Sequence, residues 1–80
     1  MAIVNGKLVS TTLTGNNILP ANRGREYLLI QPDSVALSIK FGDGTGSVTI
    51  PAGSYYEPYL APSTSIEITS AGTYTVVSNV

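Results

Sequence analysis

The sequence predicts a small all-β domain, a β-sandwich or barrel of about seven short, mostly antiparallel strands. Three observations carry this expectation. Apolar and polar residues alternate, most clearly in Val35-Ala36-Leu37-Ser38-Ile39-Lys40-Phe41, and a period of two places one set of side chains on a buried face. Clusters of Gly, Pro, Asn, Asp and Ser recur about every 8–12 residues, the spacing of turns in sandwiches and barrels. No window sustains a 3.6-residue apolar period with helix caps, so no helix longer than one turn is expected.

The elements follow in order. Val4-Asn5-Gly6-Lys7 places Asn-Gly between apolar runs, the strongest short hairpin signal. Lys7 to Leu13 reads as a strand with Val9, Thr11 and Leu13 on one face. Thr14 to Arg25 holds Gly15, Pro20, Gly24 and three Asn. It reads as a loop, long enough to suggest function or docking. Glu26 to Gln31 is a strand whose consecutive Leu28, Leu29 and Ile30 imply cover on both faces. Pro32-Asp33-Ser34 turns the chain, and Val35 to Phe41 follows as a strand.

Gly42 to Gly46 is a loop, and Ser47 to Ile50 is a strand with Val48 and Ile50 inward. Ser54 to Leu60 is extended, but Pro58 makes it an edge strand or a strap. Thr64 to Thr69 carries Ile66 and Ile68 inward. Thr73 to Ser78 closes the domain with Tyr74 and Val76 inward. The expected core is therefore Leu28, Ile30, Val35, Leu37, Ile39, Phe41, Val48, Ile50, Ile66, Ile68, Tyr74 and Val76. Residues 1–80 make a single domain, with 1–20 a candidate N-terminal arm or hairpin.

Composition excludes much chemistry. Four basic residues face five acidic ones, so no basic surface exists to track phosphates or bind an acidic membrane. No run is long and apolar enough for a helical membrane span, and no basic-then-apolar leader opens the chain. There is no Cys and no His. Disulfides, thiolate catalysis, the commonest general base and the commonest zinc ligands are therefore absent. No cofactor is expected. Charged residues are 11% of the chain, against roughly 25% in ordinary soluble domains. A domain of this length buries only about 60–65% of its unfolded surface. Without disulfides or metals, oligomerisation or docking is the remaining source of stability.

Four stretches are candidates for function. Gly42-Asp43-Gly44-Thr45-Gly46 is Gly-rich but lacks the Lys and following helix of a phosphate loop. It also has one carboxylate where calcium needs several, so it reads as a hairpin loop. Tyr55, Tyr56 and Tyr59 flank Glu57 and suit a protein interface, a strap closing the core, or sugar stacking. Arg23 and Arg25, beside Glu26, suit either a clamp on a neighbour's carboxylate or a solvated loop with a weak local pair. Asp33, Asp43, Glu57 and Glu67 are isolated in sequence, and so small a chain has little room for a pocket beside its core. The chain is not expected to be an enzyme.

From Asn22 to Val77 the chain also resembles a known group. NRGREYLLIQPDS, then VALSIKFGDG, VTIPAGSYYEPYLAP and SIEITSAGTYTVV, are similar to small all-β proteins encoded among tailed-bacteriophage virion genes. These are capsid decoration (cement) proteins, head-fibre bases and head–tail accessory proteins. The resemblance implies a non-enzymatic structural protein that decorates or stabilises a capsid. It further implies a homotrimer or a protein bound at symmetry axes, with the major capsid protein or another virion protein as partner. Such a protein is assembled in the host cytoplasm and resides on the capsid surface. The first twenty residues match less well, and no functional residue is defined tightly enough to carry over. The alternative is a carbohydrate- or receptor-binding β-module of a tail or fibre.

Overall fold

A computed structural model describes residues Lys7 to Asn79; the Asn5-Gly6 hairpin expected from the sequence lies outside them. The described residues contain no helix and seven strands. These are β1 (Leu8–Thr14), β2 (Asn17–Leu19), β3 (Leu28–Pro32), β4 (Leu37–Phe41), β5 (Val48–Ile50), β6 (Ile66–Ser70) and β7 (Thr73–Asn79). They form two antiparallel sheets, one of order β1-β7-β3 and one of order β2-β6-β4-β5.

One core joins the two sheets. Leu28, Ile30, Tyr74 and Val76 come from the first, and Leu37, Ile39, Ile50, Ile66 and Ile68 from the second. Each sits on the inward phase of its strand. β6, for example, buries Ile66, Ile68 and Ser70 and exposes Glu67 and Thr69. Apolar burial of this kind supplies about 1.5–3 kcal/mol per large side chain.

The two sheets share a bent ribbon. β1 and β2 run in succession against β7 and β6, with Thr14 opposite Thr73 and Asn17 opposite Ile68. Two residues separate β1 from β2, and two separate β6 from β7, so both strands change sheet at the same corner. Gly15 makes this turn at φ +77°, a conformation that a Cβ disfavours. Its amide bonds the Gly72 carbonyl at 3.1 Å. A Cβ on Gly72 would lie 3.0 Å from Val35 Cβ and Cγ2, so a larger residue there would push Val35 outward by a few tenths of an ångström.

Several expectations need correction. The stretch Thr14–Arg25 is not all loop, because Asn17–Leu19 pairs with β6; three residues are too few to show a period. Residues 8–19 are therefore integral to both sheets. Val35 precedes β4 and stays 39% exposed over the corner, outside the core. Val48 has the inward phase, opposite Ile39, but lies on an edge strand and stays half exposed. Phe41 is only partly buried. Ser54–Leu60 is a strap, touching the first sheet by a bridge between Tyr56 and Ile30.

Candidate interaction surface

Arg25 is the most constrained charged residue of the fold. Its Nη1 donates to the carbonyls of Pro62 (2.7 Å) and Thr64 (3.2 Å), and its Nη2 to that of Pro20 (2.7 Å). The acceptors explain the choice of residue. Pro-rich segments carry more carbonyls than amides, so they hold acceptors without ladder partners. Arginine is all donor and no acceptor, and one planar guanidinium serves two segments at once. Burial pushes its pKa below the ordinary arginine value, and no carboxylate bonds it.

The surrounding loop is held by amide side chains. Asn22 Oδ1 accepts from the Gly24 amide, while the backbone N–H of Asn22 donates to the Ser63 carbonyl. Asn79 accepts from the amides of Glu26 and Tyr27 and donates to the Gly24 carbonyl. Of the two arginines singled out in the sequence, only Arg23 is exposed. Arg25 closes contacts within the chain and has no free face for a neighbour's carboxylate. The local Arg–Glu pair is also absent: the one ion pair among the described residues is Lys40 Nζ to Glu67 Oε2 at 3.5 Å, across β4 and β6.

The tyrosines divide in the same way. Tyr56 exchanges both backbone bonds with Ile30, at 2.8 and 2.9 Å, and its ring leans on Phe41 with centroids 6.0 Å apart. Burial pushes its pKa up. Next to it, the buried Tyr27 donates its hydroxyl to Glu57 Oε2. The strap is thus fastened at Tyr56 and Glu57. Tyr55, Tyr59 and Leu60 stand outward from it, at 63%, 72% and 79% exposure. Large apolar side chains on an anchored support are what a protein contact uses.

The Tyr27–Glu57 contact makes stability depend on alkaline pH. Tyr27 is raised above the ordinary tyrosine value of 10.0, first by its hydrogen bond to Glu57, then by burial and by the charge of Glu57 and of Tyr55. A pKa raised on folding contributes stability that is fully present below the unfolded value. It is lost as pH rises through the folded value. Urea midpoints should therefore fall above pH 10, and the fall should be shallower in Tyr27→Phe, with the residual slope owed to Tyr56. An unchanged slope in that variant would remove Tyr27 as the cause.

The Gly42–Gly46 loop is tied into the fold by its backbone: the Gly42 amide bonds Ser65 and the Gly44 amide bonds Phe41, so two of the donors a phosphate would need are engaged. No group of three potential metal-ligating side chains occurs among the described residues. Sequence reasoning missed Asn79 and the Tyr27–Glu57 bond, because both join residues dozens of positions apart. Pro20 and Pro62 were the available clue to Arg25, as segments in need of donors. No protein-family model, curated protein or solved structure matches this chain.

Proposed function

We propose that the chain is a non-enzymatic structural protein of a tailed-phage virion, decorating or stabilising the capsid through protein–protein contacts. The observation that supports this is the strap. Tyr55, Tyr59 and Leu60 are exposed, while the backbone beneath them is fixed to β3 through Tyr56. A pre-ordered apolar patch binds without the entropy of ordering a loop. The major capsid protein is the proposed partner, and the resemblance from Asn22 to Val77 supports that choice.

The chain should co-sediment with shells assembled from the major capsid protein encoded nearest its gene. Replacing Tyr55, Tyr59 and Leu60 together by Ser should weaken that binding about tenfold or more, with the melting temperature unchanged. A wild-type chain left at the top of the gradient overturns the proposal. The two exposed tyrosine rings also favour a second reading, sugar stacking in a tail or fibre module. Binding to a glycan array that Tyr55→Ala and Tyr59→Ala abolish would select it.

A further inference from the structure

A sheet edge is a row of unpaired amides and carbonyls, and folded proteins shorten, cover or charge such edges. Three of the four edges here are treated so. β2 and β5 have three residues each, and Pro20 and Pro51 follow them directly. β3 is bridged by Tyr56 and ends in Pro32. β1 is different. It has seven residues, Leu-Val-Ser-Thr-Thr-Leu-Thr, with no charge and no proline. Its residues are exposed except for Leu13, and among the described residues nothing pairs with its outer side.

The register says which groups are free. The Asp33 amide bonds the Thr73 carbonyl at 3.1 Å, so Thr73, Thr75, Val77 and Asn79 turn their backbone polar groups toward β3. Tyr74, Val76 and Ser78 turn theirs toward β1, where they meet Leu13, Thr11 and Val9. That leaves the amides and carbonyls of Leu8, Ser10, Thr12 and Thr14 pointing out of the sheet. Strand alternation puts the side chains of Val9, Thr11 and Leu13 on the core face. Leu13 packs against the core, but Val9 is 39% exposed and Thr11 is exposed.

We infer that β1 pairs antiparallel with β1 of a second copy of this chain, about a dyad through Thr11. The occupant is chosen by the strand itself. With the dyad at Thr11, Leu8 faces Thr14 and Ser10 faces Thr12, so every outward-pointing residue meets another outward-pointing residue. Moving the dyad to Ser10 or Thr12 loses partners at the ends. Moving the register by one residue sets outward groups against inward ones and flips the faces. On the core face, Val9 then lies opposite Leu13 of the second copy, and Thr11 opposite its own equivalent. Apolar meets apolar and hydroxyl meets hydroxyl, the pairings that stabilise neighbouring strands. The product is an isologous dimer with one continuous sheet, β3-β7-β1-β1-β7-β3.

This inference goes beyond the proposed function, and it sets the dyad against the trimer implied by the resemblance. Light scattering on the full chain should give twice the chain mass. The chain has no cysteine, so Thr11→Cys supplies a single reporter. The Cα atoms of a directly opposed, non-hydrogen-bonded pair lie about 4.5 Å apart, within reach of a disulfide, so mild oxidation should link the copies. Val9→Cys should not link, because two Val9 residues would be about 13 Å apart along the strands. Thr12→Pro should be a folded monomer, since its lost amide faces away from β7. Thr11→Lys and Thr11→Glu should each dimerise about fivefold more weakly, and an equimolar mixture should recover. A wild-type monomer or trimer overturns the inference and leaves the capsid reading standing. So does equal linking by the two cysteine variants, which keeps the test decisive even if Thr12→Pro fails to fold.

Discussion

Arg25→Ala should destabilise the fold by about 2–4 kcal/mol, measured as a shift in urea midpoint at constant slope. Hydrogen bonds from a charged donor are each worth about 1.5–3 kcal/mol, more than neutral ones. Arg25 makes three, to Pro20, Pro62 and Thr64. Their loss leaves three carbonyls in a partly buried site, where water recovers only part of the bonding. For a domain of this size the melting temperature should fall by about 10 °C or more. Arg25→Lys should rescue little. A single ammonium does not have the fork that reaches Pro20 on one side and Pro62 on the other. Arg23→Ala should be neutral in the same assay, because Arg23 is exposed. Equal effects of the two alanine variants would contradict the assignment of Arg25 as the tie between the Pro20 loop and the Pro62–Thr64 segment.

Tyr74→Ala should cost about 3–5 kcal/mol, the usual range for removing a buried aromatic ring. Tyr74 is 1% exposed, yet its hydroxyl does not end in the core. It donates to the Gly15 carbonyl at 2.8 Å and accepts from Asn17 Nδ2 at 2.9 Å. One residue thus anchors the core and latches the corner where β1 passes into β2. Tyr74→Phe isolates the latch, since the ring stays and two part-buried polar groups lose their partner. It should cost about 1–2 kcal/mol. Hydrogen exchange should rise at Gly15, whose amide bonds Gly72, before it rises in β4. A Phe variant as stable as wild type, with unchanged exchange at Gly15, would show that ring burial alone matters.

These two residues also show what was legible in the chain. Period-two alternation identified the core of β4, β6 and β7, because Leu37, Ile39, Ile66, Ile68, Tyr74 and Val76 lie on central strands covered by the opposite sheet. The same rule misled at Val48, which has the correct phase but sits at the opposite end of edge strand β5 from the buried Ile50 and stays half exposed. Alternation reports the face of a strand and carries no information on strand order. Val35 failed for another reason: its partner, Gly72, is remote in sequence and has no side chain to announce a contact. Tyr74 was recognisable as core, but its hydroxyl partners were not, because Gly15 and Asn17 come near only once the ribbon bends. Arg25 shows a limit of charge counting. In a chain with few charges an arginine beside a strand suggests a partner, and here that partner is the chain's own proline segments.

The position of β7 has a consequence for how the molecule is made. It is the middle strand of its sheet, bonded to β1 on one side and β3 on the other. β1 and β3 therefore have no sheet to join until Thr73–Asn79 has been synthesised. Before that point Leu28, Ile30 and the uncharged β1 stretch have no strand of their own sheet to pair with. Pairing over such separations is slow because loop closure precedes its reward. The order of the strands thus makes β7 the element that completes the first sheet, and β1 and β3 stay open to other pairings until it docks.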